Sequence, residues 1–169
     1  VNQFALGVNA ARFSVVSFAS NATTRVTWSY DYASINAGID EMTAGGKTSI
    51  SDGFEAAGQL FDDGREGVSK FVLFISDGEQ SVDAAPDKSL RQTSIDAATL
   101  VKEDGVTVFA WGLGKANLTT LQEIATDSSM AIVVEDVSTL SDYVLGLEAT
   151  VCNHSPPPSP PSPPPPSPS

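Results

Sequence analysis

Histidine and cysteine are almost absent from this chain, which has one of each, His154 and Cys152, in 169 residues. A Ser-His-Asp or Cys-His catalytic system needs a histidine beside its nucleophile. Here the single histidine lies at the root of a Pro/Ser tail, so the sequence reads as non-enzymatic. A zinc centre needs several His or Cys ligands, and the chain cannot supply them. Basic charge is scarce too: nine Lys and Arg stand against 21 Asp and Glu, a net charge of −12. Nucleic acid and anionic membrane surfaces select Lys and Arg, so neither is expected as the main partner. Such a balance suits cation binding, and equally a plain solubility surface. No apolar run reaches the roughly 18 residues of a membrane span, so no membrane insertion is expected.

Residues 1–151 have globular composition and are long enough to bury one core. Residues 152–169 form a separate tail, and from Ser155 to Ser169 only Pro and Ser occur. That composition cannot pack and predicts extended polyproline II. Cys152 reads either as one half of a disulfide whose partner lies elsewhere or as an unpaired thiol at a flexible end. Asn21-Ala22-Thr23 and Asn117-Leu118-Thr119 are glycosylation sequons, which add to a secreted reading. A third, Asn153-His154-Ser155, is followed by Pro156, which is expected to hinder it.

In chain order, Val1, Phe4 and Ala5 have the spacing of the end of an amphipathic helix closed by Gly7. A domain seldom begins on the last turns of a helix, so a strand and the start of this helix are expected upstream. FSVVSFA (Phe13 to Ala19) reads as a buried strand. Arg25 to Trp28 alternates and suits a shorter edge strand, with Val26 and Trp28 on one face and Asn21 at the hairpin tip. Ile35, Ile39 and Met42 mark a helix, and Thr43 to Thr48 a loop. Ile50, Phe54, Ala57 and Leu60 mark a second helix, with a capping-box variant over Ser49 to Asp52. FVLFI (Phe71 to Ile75) is a buried strand that stops at Ser76-Asp77-Gly78. Leu90 to Val101 predicts a helix, Val106 to Trp111 a strand, and Asn117 the cap of a short helix. Ala131 to Val134 is a short strand, and Val137, Leu140, Val144 and Leu147 mark a last helix. Strands and helices alternate after the hairpin. The expected fold is therefore α/β: a doubly wound, mostly parallel sheet with one antiparallel edge strand and helices on both faces.

Ligands of such sheets collect at the carboxyl ends of the strands, which is where Asp77 falls. Gly46-Lys47-Thr48 looks like the end of a phosphate-binding loop, but the glycine required five residues earlier is Glu41, and the loop follows a helix rather than a strand. Gly112-x-Gly114 lacks its third glycine, since that position is Asn117. A hard cation is a better fit: magnesium takes carboxylates, hydroxyls and waters, and Asp77 and Thr48 are suitable donors. The plainer roles are an Asx-turn for Asp77 and a helix cap for Thr48.

GGKTSISDGFEAAGQLF, FVLFISDGEQ, VTVFAWGLGKANLTTLQEIA and AIVVEDVSTL, in that order and spacing, resemble successive blocks of a von Willebrand factor type A (VWA) domain, over Val1 to Val151. The collagen- and matrilin-like extracellular members are the nearest in character. The resemblance implies a Rossmann-like fold whose upper rim holds a metal-ion-dependent adhesion site (MIDAS) for magnesium or manganese, with a ligand carboxylate often completing the coordination. The family's threonine falls on Thr48 and its Asp-Gly aspartate on Asp77. Its main motif, Asp-x-Ser-x-Ser at the end of the first strand, does not occur. Asp87-x-Ser89-x-Arg91 and Asp136-x-Ser138-x-Leu140 are the nearest strings, and both sit in other blocks. The resemblance thus implies that the domain is N-terminally incomplete and that the first strand lies upstream of Val1. It likewise implies that Cys152 pairs with an upstream cysteine. The tail resembles the hydroxyproline-rich, extensin-like spacers of plant and green-algal wall glycoproteins, with an SH3-type ligand as the rival reading.

The expected function is an extracellular adhesion module, in matrix or cell wall, that binds a protein or glycan ligand through Mg2+ or Mn2+. The alternatives are a metal-free structural spacer and a non-catalytic module of a larger secreted enzyme.

Overall fold

The computed structural model describes the backbone of residues 1–154 and the side chains of residues 1–151. The expected polyproline II segment lies outside the described residues. Two strands come first, β1 (Phe13–Phe18) and β2 (Ala22–Ser29), followed by helices α1 (Tyr32–Asp40) and α2 (Ile50–Asp62). Then come β3 (Lys70–Ser76), α3 (Leu90–Glu103), β4 (Val106–Leu113), α4 (Leu118–Ile124), β5 (Ala131–Val134) and α5 (Leu140–His154), which runs through Cys152. The fold is α/β, with a parallel sheet in the order β3-β4-β5 and an antiparallel β1-β2 pair.

Alternation along β4 builds the two halves of the core. Val108 and Ala110 face a cluster made with Ile50, Phe54 and Phe61 of α2, Ala98 and Val101 of α3, and Leu121 and Ile124 of α4. Phe109 and Trp111 face the other way and pack with Phe4 and Leu147 of α5. Side chains of successive strand residues point to opposite faces, so one buried strand serves helices on both sides. The hairpin joins the first cluster through Phe18, whose ring stacks on Phe74 of β3 at 5.6 Å. No ladder joins β1 to β3, so among the described residues each has an edge without a neighbouring strand.

The structure corrects four local expectations. Residues 1–7 form a turn, not the end of a helix. The Phe4 amide donates to the Val1 carbonyl at 3.0 Å, but no helical ladder follows. Two turns of apolar spacing do not outweigh the cost of helix nucleation. Phe4 is held instead by edge-to-face packing on Phe13 at 5.3 Å and by the Tyr32 hydroxyl, which donates to its carbonyl at 2.5 Å. Second, Val26 and Trp28 contact different helices. Register shifts between Phe13 and Val16 interrupt simple alternation. Trp28 packs on Phe61 of α2, whereas Val26 lies against Gly38 of α1. Third, Ser49 begins α2 without a side-chain cap. Fourth, Val137 is 64% exposed in a 3-10 turn that precedes α5.

Candidate cation and ligand site at the sheet rim

β3 ends in a tight turn made by Ser76, not by Asp77. The Gly78 amide donates to Ser76 Oγ at 3.3 Å, and that hydroxyl donates to the Gly78 carbonyl at 2.8 Å. The Asx-turn role is therefore filled by a neighbour. The exposed carboxylate of Asp77 accepts no hydrogen bond among the described residues.

Thr48 reaches the same rim from the other side. Its loop turns at Gly46, where φ is +83° and an added Cβ would lie 3.1 Å from Ser20 Oγ. A residue with a side chain is strained there, which accounts for the glycine. The loop is fastened to the hairpin tip: the Lys47 amide donates to Ser20 Oγ at 3.1 Å, and the Ser49 amide to the Ala19 carbonyl at 2.7 Å. It is fastened to the Asp77 loop as well. The Thr48 amide donates to Ser81 Oγ at 2.9 Å, and the Ser81 amide donates back to the Thr48 carbonyl at 2.8 Å. Both contacts with Ser81 use Thr48's backbone. Its hydroxyl makes none of the described hydrogen bonds and caps no helix.

The residues around this pair are committed to structure. Gln80, 5% exposed, takes over the capping of α2. Its Oε1 accepts the Ser51 amide at 2.8 Å, and its Nε2 donates to Ser51 Oγ at 2.9 Å and to the Asp83 carbonyl at 3.2 Å. Glu79 Oε1 accepts the Thr120 hydroxyl of α4 at 2.7 Å, and Arg91 Nε donates to the same hydroxyl at 3.1 Å. Neither Glu79 nor Gln80 was identified from sequence. Their partners on α2 and α4, Ser51 and Thr120, lie 29 and 41 residues away, so local spacing carries no trace of those contacts.

The two strings nearest to Asp-x-Ser-x-Ser are helix caps elsewhere. Ser89 accepts the Gln92 amide at the start of α3. Asp136 accepts the Ser138 amide, and that hydrogen bond holds its carboxyl below the usual carboxylate value. In each string the capping side chain is already engaged, and each lies at the start of another helix. The described residues contain no group of three or more His, Cys, Asp or Glu placed to hold a metal. Thr48 and Asp77 suit a hard cation in chemistry, as free oxygen donors, but they are two where near-octahedral magnesium takes six. A cation held there would need its other ligands from elsewhere.

Comparison with known proteins places the fold in a family. The family model of the von Willebrand factor type A domain matches residues 1–144. The chain belongs to the VWA domain family. Among curated proteins, the collagen alpha-5(VI) chains of Mus musculus and Homo sapiens are each 26% identical to this VWA domain, over 116 and 117 residues. Each alignment covers 66% of this chain and 4% of the collagen. Proximal thread matrix protein 1 from the mussel byssus, solved with a zinc-occupied MIDAS motif, superposes with a TM-score of 0.73 at 27% identity. That match covers 86% of this chain and 37% of the byssus protein. A von Willebrand factor type A structure from Catenulispora acidiphila, 20% identical with a TM-score of 0.70, covers 89% of this chain and 35% of its own, and shares the fold. This VWA domain therefore spans a small part of the relatives it matches. No helix among its described residues is long and apolar enough to cross a membrane.

Proposed function

We propose that this VWA domain is the ligand-binding module of an extracellular matrix or cell-wall protein, and that it engages a protein or glycan carboxylate through a divalent cation at Thr48 and Asp77. The observation that carries this reading is the release of both side chains from structural work, while Ser76, Gln80 and Ser81 hold their loops together. Bound there, Mg2+ or Mn2+ would supply a positive anchor for the ligand's carboxylate. The chain's own part is to hold a hydroxyl and a carboxylate on loops braced against each other, so that little ordering remains to be paid on binding. Relatives named as collagen and thread matrix protein, and a neighbour with a metal in its MIDAS motif, support the matrix setting and the cation.

The remaining donors belong, in this reading, to a strand that precedes Val1 and pairs along the open edges of β1 and β3. Those unladdered edges now support it, because the N-terminal spacing that first suggested it folds as a turn. The VWA unit, expected over residues 1–151, then extends with α5 to His154, the residues after it form a stalk, and Cys152 is bonded to an upstream cysteine.

Calorimetric titration with magnesium and manganese tests the proposal, on residues 1–169 and on the protein extended upstream. Saturable binding by the extended protein, abolished in Asp77→Ala without loss of stability, is the expected result. A spacer without metal is the second reading, favoured by the two-donor count. It wins if both proteins are folded and neither titration shows heat of binding.

A further inference from the structure

The two sequons not followed by proline sit on the same rim as Thr48 and Asp77, one on each side of β3's end. Asn21 is exposed at the tip between β1 and β2, next to Ser20, which accepts the Lys47 amide. Asn117 is exposed where β4 leads into α4, and α4 reaches the Asp77 loop through Thr120 and Glu79. Thr23 and Thr119, the hydroxyl residues of the sequons, are exposed as well. The Asn117 side chain already has a duty: its Oδ1 accepts the Thr119 and Thr120 amides at 3.0 and 3.4 Å. A cap of this kind uses only the oxygen, which leaves Nδ2 free of the helix.

We propose that Asn21 and Asn117 are N-glycosylated and that their glycans flank the Thr48–Asp77 rim, leaving it open to a slender ligand segment and closed to a broad surface. This deepens the reading above and rests on its extracellular setting. In the modification, Asn Nδ2 attacks the anomeric carbon of a lipid-linked oligosaccharide pyrophosphate. The new N–C bond replaces the anomeric C–O bond, Nδ2 gives up one proton, and the lipid pyrophosphate leaves. At Asn117 the glycan is carried by the nitrogen while the oxygen keeps the α4 cap, so modification and folding do not compete.

Two lysines serve as local reporters. Lys47 is exposed on the loop bound to the Asn21 tip, and Lys115 is exposed two residues before Asn117. The chain is secreted from a eukaryotic cell, and each site is mapped by enzymatic release of glycans in heavy-oxygen water, which marks every formerly glycosylated Asn as a labelled Asp. Acylation of Lys47 and Lys115 is then timed with a small amine-reactive ester and with the same ester on a bulky polymer, before and after glycan removal. Expected are label at both Asn21 and Asn117, and several-fold faster polymer acylation after removal with the small-ester rates unchanged. Thr23→Ala and Thr119→Ala should each remove one glycan's mass and free only the neighbouring lysine. An unlabelled Asn21 or Asn117, or polymer rates indifferent to the glycans, overturns the proposal. A silent cation titration of a chain that carries both glycans would instead remove the cation reading and leave this one standing.

Discussion

Replacing Gln80 by alanine should unfasten the rim from α2. Three hydrogen bonds disappear in Gln80→Ala: the Ser51 amide to Oε1, and Nε2 to Ser51 Oγ and to the Asp83 carbonyl. A typical intramolecular hydrogen bond contributes about 0.5–1.5 kcal/mol net, and a buried donor left without a partner costs about 1–3 kcal/mol. Ser49 contributes no side-chain bond that could take over as cap, and the void left by a 5% exposed side chain is shielded from water. The sum is about 2–4 kcal/mol, a shift of about 1–2 M in urea midpoint if m is about 2 kcal/mol/M. Gln80→Glu separates the roles of the two ends. A carboxylate still accepts the Ser51 amide but has no proton for the Asp83 carbonyl, and its desolvated charge against that oxygen is costly, so at neutral pH the loss should be at least that of Gln80→Ala. Equilibrium urea unfolding followed by tryptophan fluorescence reads both. A Gln80→Ala midpoint within experimental error of wild type would refute the capping argument, because the three bonds would then be geometry without energy.

Gly38→Ala should be destabilising even though alanine favours helix: the new Cβ would lie 2.2 Å from Val26 Cγ2, and overpacking costs about 1–3 kcal/mol. Val26→Ala in the same protein should recover part of the lost melting temperature. Asn117→Ala, which removes the α4 cap, should cost about 1 kcal/mol, while Thr119→Ala stays near wild type in a chain made without glycans. Acidification should destabilise the fold. Asp31 is held below its ordinary value first by the Ser34 hydroxyl and then by backbone amides, and Asp96 by Lys88 and Gln92. A folded-state value below the unfolded one means that this contribution is present above the ordinary carboxylate range and is lost as pH falls through the lowered folded values. Asp31→Asn should flatten the acid limb of a stability-against-pH curve, and an unchanged limb would contradict the assignment.

The elements that were legible from sequence are those whose signal is local. β3 and β5 read directly as short apolar runs, the pattern of parallel strands, although one face of β3, at Leu73 and Ile75, is exposed rather than buried as the run suggests. Asn117 was legible as a cap because its acceptor acts two and three residues away. Thr48 and Asp77 were candidates from their places at a helix start and a strand end, and the order and spacing shared with a family added to that reading, since nothing in their own neighbourhood separates a cation ligand from a turn or cap residue. Gln80 and Ser81, which brace the two loops, were not legible: the Ser51–Gln80 and Thr48–Ser81 contacts span 29 and 33 residues and exist only after the loops have met. Periodicity also overreached where tertiary contacts decide. Phe4 is buried as its apolar spacing suggests, yet it is anchored by Phe13 and Tyr32 rather than by a helix of its own.

β3 shows where the described residues leave the fold open. Phe74 is buried, but Leu73 and Ile75, which alternate with it and share a face with Phe71, are each 40% exposed. Covering what remains of the two would contribute about 1–2 kcal/mol, taking about 1.5–3 kcal/mol for full burial of each side chain. The same strand also has an edge without a ladder, and an apolar strand with free amides and carbonyls is a template for pairing with another chain. Residues 1–169 in isolation should therefore associate as concentration rises, in a form that sedimentation velocity resolves from the monomer. Ile75→Lys puts a charge on that edge and should hold the protein monomeric at little cost in stability, since the side chain is already partly in water. The upstream-extended protein should behave like Ile75→Lys without any substitution, if its added strand occupies the edge. Association unchanged by Ile75→Lys would place the contact elsewhere. Residues 1–169 that stay monomeric at every concentration would mean that the edge is already covered, and would remove the main structural support for an upstream strand.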